Sequence, residues 1–182
     1  MLTDVQERLS ELKEAIDGLQ LDQASAANAR KTCEAYGNQL LLDGSALLKA
    51  DMSHEQKREV IAGMRQAVHK LQETTRELMS QCAEAYRGQI GTEEKEAYEK
   101  LSKQLQQEYK PEAFRSLQAY HQVGRLHDLL SSLNTELLDA DFELEREMRQ
   151  SGTTERTADE APPFGADPLK YDHDPVPGSL SP

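Results

Sequence analysis

Apolar residues recur at alternating steps of four and three positions from Val5 onward, and the same register reaches Leu40 with several small and polar residues in its middle part. Such spacing keeps one narrow stripe on one face of a helix, facing a partner helix. The pattern predicts a first helix over about residues 3–50. Its middle section is weaker, because small residues such as Gly37 thin the stripe or let another chain approach closely.

A second helix is predicted over about residues 54–88. Ser53 and Gln56 have the spacing of a capping box, in which the serine oxygen accepts from an early amide and the glutamine reaches back. The glycines at 88 and 91 favour a turn, and Thr92 is placed to cap the next helix. The apolar stripe of the second helix consists of Val60, Met64, Ala67, Leu71, Thr74 and Leu78, widened by Ile61, Val68, Met79 and Cys82.

A short third helix is predicted over about residues 92–109, with Tyr98, Leu101 and Leu105 on one face. Pro111 is the first proline of the chain. Proline has no amide hydrogen and suits the first turn of a helix, so Pro111 predicts a joint followed by a fourth helix over about residues 111–150. That helix carries the most regular stripe: Ala119, Val123, Leu126, Leu130, Leu133, Leu137, Ala140, Leu144 and Met148.

Residues 151–182 hold six of the seven prolines, with acidic and few apolar residues. Such a segment buries too little apolar area to offset its ordering entropy, so a disordered acidic tail is predicted. Phe164, Leu169 and Tyr171 lie among acidic residues in this tail and are candidates for a short docking motif. The alternative is an inert solubilising tail.

Composition supports an all-α chain. Ala, Glu, Lys, Leu and Arg form about half of the sequence, tryptophan is absent and aromatic residues are 5%. This is typical of long helices, and it predicts an elongated helical hairpin or coiled-coil bundle of about four helices with a disordered C-terminal tail.

The formal net charge of −12 disfavours binding to nucleic acid or to anionic membranes, because the field of the protein repels phosphates. No apolar run approaches the length of a spanning helix, and the N-terminus lacks the features of a signal peptide. A soluble protein of the cytoplasm or nucleus is expected. Cys33 and Cys82 are then expected as free thiols in core positions, too far apart in a helical hairpin for a disulfide.

The sequence predicts no metal, no cofactor and no catalytic activity. A carboxylate-bridged di-metal bundle needs paired Glu-x-x-His elements, whereas Gln66, Gln118 and Gly124 precede the helical histidines by three positions. Asp51 and His54 have a suitable spacing, but they lie at a predicted turn and are not repeated. His121 and His127 are six apart and do not share a helix face. Phosphate-loop and nucleophile-elbow motifs are absent.

The leading hypothesis is a non-enzymatic coiled-coil interaction subunit that helps assemble or scaffold a larger intracellular complex, as a homo- or hetero-oligomer. Its protein partners are expected to cover the exposed leucine stripes. One alternative is a small cytosolic chaperone or adaptor that holds a client helix, and another is an enzyme on a helical-bundle scaffold. The predicted partner-binding residues are Leu9, Leu12, Ile16, Leu19, Leu126, Leu130, Leu133, Leu137 and Leu144.

Overall fold

The computed structural model describes residues 2–21 and 26–159 of the chain, except for the side chains of residues 153–159. Within these ranges the chain is all-helical and no strand occurs, which confirms the all-α prediction. The described residues form six helices, where about four were predicted. They are α1 (Leu2–Asp17), α2 (Ala26–Leu47), α3 (His54–Gln89), α4 (Thr92–Glu99), α5 (Lys103–Tyr109) and α6 (Pro111–Asp159).

The predicted single helix over residues 3–50 is wrong, because α1 ends at Asp17 and α2 begins only at Ala26. The last turn of α1 tightens, with Leu19 N donating to Ile16 O at 3.2 Å. Gly18 directly follows this helix, and glycine costs about 1 kcal/mol relative to alanine within one. The spacing of the predicted stripe continues from α1 to α2 without a shift of register, so periodicity alone does not reveal the break between the two helices.

Two glycines let α1 pack closely on α2 in an antiparallel hairpin. Gln6 Nε2 donates to Gly44 O at 2.7 Å. A Cβ atom added at Gly44 would lie 2.3 Å from Leu9 Cδ1, and one at Gly37 would lie 2.7 Å from Ile16 Cδ1. The sequence left open a thinner stripe or the close approach of another chain, and the structure shows a close approach by α1 of the same chain.

Alanine at Gly44 and at Gly63 is expected to have opposite effects. Gly63 is an exposed position of α3 with open space around its Cα, so Gly63→Ala should raise the free energy of unfolding by about 0.5–1 kcal/mol. Gly44→Ala gains the same helix propensity but overpacks buried Leu9, which costs about 1–3 kcal/mol. We expect a net loss of about 1 kcal/mol in urea unfolding. Equal stabilisation by both substitutions would contradict the close packing of α1 on α2.

Helices α3 and α6 run antiparallel. Near the start of α3, Arg58 makes two hydrogen bonds to Asp141, at 2.8 and 3.2 Å. At the end of α3, Ser116 Oγ donates to Gln89 Oε1 at 2.8 Å. The start of α3 has the predicted capping box: Gln56 N donates to Ser53 Oγ at 3.2 Å, and Ser53 N donates to Gln56 Oε1 at 2.9 Å.

The stripes predicted for the first, second and fourth helices form most of the buried core. Met148 is 36% exposed, and Met79 and Cys82 are only partly buried. On α3, Thr75 is buried and Thr74 only partly so, and the predicted Val60 is also only partly buried. The chain divides into two units after Asp141. In the second unit, which starts at Phe142, that phenylalanine is exposed and Leu144 is buried.

The predicted third helix is interrupted. Ser102 accepts a hydrogen bond from Leu105 N at 3.3 Å and so caps α5, which separates it from α4. Thr92 does not cap α4 as predicted, because Gly91 occupies the cap position without a side-chain bond. Pro111 is the first residue of α6, which confirms the predicted joint.

Helix α6 reaches Asp159, so the helix extends past the predicted tail boundary at residue 151. The remaining tail, with Phe164, Leu169 and Tyr171, lies outside the described residues. In the part of the chain that the structure describes, none of the helices combines the length and apolar character needed to cross a bilayer.

Candidate functional site

All nine predicted partner-binding residues are buried in the folded chain. The four at the N-terminal end, Leu9, Leu12, Ile16 and Leu19, are at most 4% exposed. Leu126, Leu130, Leu133 and Leu137 are fully buried, and Leu144 is 9% exposed. A partner could reach the first eight only if the described helices separated, so exposed surfaces are the better candidates for a binding site. Binding through these nine residues stays a prediction.

The helices α4 and α5 are held together by Tyr98, which is buried at the end of α4. Its hydroxyl lies 3.0 Å from Gln106 O and 3.1 Å from Lys110 O. The Gln106 side chain in turn donates to Tyr98 O at 2.9 Å. These reciprocal bonds fix the geometry of a segment whose two helices are too short to be stable alone.

This segment is also attached to α3 and α6. Lys110 Nζ donates to Gln89 O at 3.3 Å, and the same amine lies 3.1 Å from a carboxylate oxygen of Glu94. A small core joins α4 to the end of α3 and the start of α6: Tyr86, Ile90, Tyr98 and Ala113, with Leu117 packed against them. The packing places side chains of α3, α4, α5 and α6 around one surface groove.

The groove has a volume of about 980 Å³ and is bounded by the end of α3, by α4 and α5, and by the first turns of α6. This volume is at the upper end of the range of ligand pockets. Its apolar lining comes from Ala83, Tyr86, Leu101, Phe114, Leu117 and Tyr120. Its polar and charged lining comes from Arg87, Lys95, Glu99, Lys103, Gln106, Gln118, His121, Gln122 and Arg125.

The lining of the groove reverses the charge balance of the chain. Acidic residues outnumber lysine and arginine by 33 to 21 in the whole sequence, but the groove has four of these cations and a single carboxylate, Glu99. That carboxylate accepts a hydrogen bond from Tyr86 Oη at 3.4 Å. Burial and the nearby negative charge of Glu99 raise the pKa of the Tyr86 hydroxyl.

The four groove cations are Arg87, Lys95, Lys103 and Arg125, and all are exposed. Within the part of the chain covered by the structure, none of them forms an ion pair. By contrast, Arg58, Lys100 and Lys110 each contact a carboxylate. The groove therefore presents positive charge that its own side chains leave largely uncompensated.

Three exposed apolar side chains lie on α5 and in the turn that precedes it. They are Leu101 in that turn and Leu105 and Tyr109 on α5, here called the α5 patch, and they are 36%, 50% and 61% exposed. Leu101 also lines the groove. The sequence predicted Tyr98, Leu101 and Leu105 on one face, and the structure separates them: Tyr98 is buried and both leucines are exposed.

Sequence reasoning missed the groove. Its cations are spread from residue 87 to residue 125 over four helices, so no local cluster marks them. The sequence signal for the groove is weak. It consists of apolar residues that occur together with lysines in the α4–α5 segment, whose two helices are too short to bury those apolar residues. By its spacing alone, the pattern predicts one helix with one apolar face.

Both cysteines are free thiols, as predicted. Burial, with a smaller contribution from the charge of Glu34, raises the pKa of the Cys33 thiol to about 11. Burial also raises the pKa of the Cys82 thiol. Because the thiolate is the reactive form, both side chains are weak nucleophiles near neutral pH.

The histidines are not brought together as a metal site. His127 Nδ1 lies 2.8 Å from Thr75 Oγ1, and His121 packs edge-on against the neighbouring Tyr120 at the groove. Among residues 2–21 and 26–159, no group of three or more histidine, cysteine, aspartate or glutamate side chains has the arrangement of a metal site.

No protein-family model matches the chain, and comparisons with curated proteins and with solved structures give no match.

Proposed function

We propose that this chain is a non-enzymatic interaction subunit that helps assemble a larger intracellular protein complex, and that it docks through the groove and the α5 patch. The observation that carries this proposal is the exposed apolar α5 patch beside a large groove. Exposed apolar residues that lie together next to a concave surface are typical of protein-binding sites, whereas isolated ones are not.

Because the predicted apolar stripes are buried within the chain, we place the docking surface on the groove and the α5 patch. We infer that α1, α2, α3 and the first part of α6 form a four-helix bundle, in which the apolar stripes pack against one another as in a coiled coil. The antiparallel pairings of α1 with α2 and of α3 with α6 support this architecture. The bundle then acts as a rigid support for the α4–α5 segment, which presents the binding surface.

A chaperone or adaptor that holds a client helix is the second candidate. The groove favours it, because an apolar floor with a polar rim is the form that accepts an amphipathic helix. No methionine is among the lining residues, so the groove lacks the adaptable thioether side chains of promiscuous binders. This composition favours one specific partner over many clients.

The proposal is tested by removing the apolar character of the α5 patch. We expect Leu101→Ser/Leu105→Ser to reduce recovery of partner proteins by about tenfold or more in quantitative affinity purification from native cells, because buried apolar contacts dominate interface energies. The matched control is Leu42→Ser/Leu48→Ser, which changes two exposed leucines outside the groove. Circular dichroism verifies folding of both variants. Equal recovery by all three proteins, or no partner recovered by the wild-type chain, would overturn the proposal.

A further inference from the structure

We infer that the groove binds an acidic, amphipathic helical segment of a partner protein. The inference rests on the proposed function and deepens it, because it specifies the chemistry of the segment that the groove accepts. Three observations carry it: the charge of the lining, the arrangement of its apolar side chains, and the charge of the rest of the chain.

The cations of the groove come from every helix that lines it. Arg87 belongs to α3, Lys95 to α4, Lys103 to α5 and Arg125 to α6. Positive charge is therefore distributed around the groove and is not confined to one solvated helix face. Glu99, the one carboxylate in the lining, already accepts from Tyr86 and is outnumbered four to one. A segment with carboxylates on its polar face would meet complementary charge on entering.

The apolar lining explains why a peptide, and not a simple anion, is the occupant. Leu101 is exposed at the groove, and Phe114 and Leu117 are only partly buried there. Covering them requires apolar side chains on the ligand. An amphipathic helix supplies these at steps of three and four residues while keeping charged residues on its flanks.

The charge of the whole chain argues against a long polyanion. At a net charge of −12, the protein repels nucleic acid and anionic lipid surfaces over distances beyond the groove. A short acidic helix carries few charges, so local attraction to four cations outweighs the long-range field, which salt screens within about 8 Å. The groove is therefore suited to a protein segment.

The test is a selection from a display library of random helical peptides of about 16 residues, long enough for four turns, on the full-length wild-type chain. We expect the enriched peptides to be net acidic, with apolar residues spaced by three and four. The strongest peptide is then labelled and titrated with each protein by fluorescence anisotropy. Its variant with lysine in place of every acidic residue should bind at least about tenfold more weakly.

Charge reversal in the groove provides the matched comparison. Lys95→Glu/Lys103→Glu should weaken binding of the selected peptide by about tenfold or more, whereas Lys31→Glu/Lys49→Glu should change it by less than about twofold. Both variants alter the net charge equally, and the control lysines are exposed and outside the groove. The affinity of the wild-type chain should also fall as salt is raised, because exposed charge pairs are screened.

Three results would overturn the inference: neutral or basic peptides among the enriched sequences, equal losses in both lysine variants, or unchanged binding when the apolar residues of the peptide become alanine. The last would show simple anion attraction. If the leucine variants of the α5 patch lose native partners while the selection shows no acidic preference, the proposed function stands and this inference fails. If the leucine variants keep their native partners and the selection shows no acidic preference, both the proposed function and this inference are wrong.

Discussion

Leu130→Asp is expected to unfold the chain. Leu130 is fully buried in α6, in the middle of its most regular apolar stripe. Removing a buried leucine side chain costs about 2.7–5 kcal/mol, and placing a carboxylate in the resulting space adds a desolvation penalty. Because single domains are stable by only about 5–15 kcal/mol, the substitution removes most or all of the stability.

Far-ultraviolet circular dichroism and urea unfolding measure this loss directly. Leu42→Asp is the matched control, because Leu42 is 68% exposed and its replacement should change the free energy of unfolding by less than about 0.5 kcal/mol. The opposite result is informative as well. If Leu130→Asp keeps native stability and loses only a binding partner, the stripe of α6 lies in an intermolecular interface, as the sequence alone predicted.

Tyr98→Ala is expected to detach the α4–α5 segment. Truncation of a large buried aromatic residue costs about 3–5 kcal/mol, and here it also removes the hydroxyl shared by Gln106 O and Lys110 O. Tyr98 is also what this segment of two short helices contributes to the small core formed with Tyr86, Ile90 and Ala113, so the loss falls on the attachment of the segment. Amide exchange should therefore accelerate strongly over residues 92–110 and much less in α1 and α2.

Tyr98→Phe removes the hydroxyl and keeps the aromatic ring, so it distinguishes the contributions of these two groups to stability. Gln106 O also accepts from Lys110 N at 3.1 Å, and Lys110 O accepts from Phe114 N at 3.0 Å, so neither carbonyl is left without a donor. A loss of only about 1 kcal/mol is expected. Hydrogen exchange followed by mass spectrometry measures both variants. Uniform acceleration throughout the chain, or none in the segment, would contradict a locally held binding surface.

Local signals account for what was predicted correctly. The capping box at Ser53 and the helix start at Pro111 depend on residues within one turn of each other, so neighbouring side chains are sufficient to specify them. The stripe from Ala119 to Leu144 likewise depends on helical period alone, and it is buried throughout. The helical period does not specify what covers the stripe, so it does not distinguish an external partner from another helix of the same chain.

The break after Asp17 shows the limit of periodicity. An uninterrupted register fits one long helix or two helices packed against each other, and local energies of about 1 kcal/mol at Gly18 do not separate them. Tertiary packing separates them, because folding α1 onto α2 buries Leu9 and Ile16 over Gly44 and Gly37. The interruption at Ser102 is similar: a serine inside an amphipathic pattern becomes a cap once Tyr98 is buried and the chain must turn.

By itself, the sequence determined the helical class, the acidic surface, the start of α3 at Ser53 and the start of α6 at Pro111, because these depend on composition and on contacts between near neighbours. The tertiary structure decided which stripes are covered, where the first and third predicted helices break, and that Arg87, Lys95, Lys103 and Arg125 line one groove. Those outcomes depend on contacts between residues far apart in the chain. The free energy of such contacts is absent from any local window of the sequence.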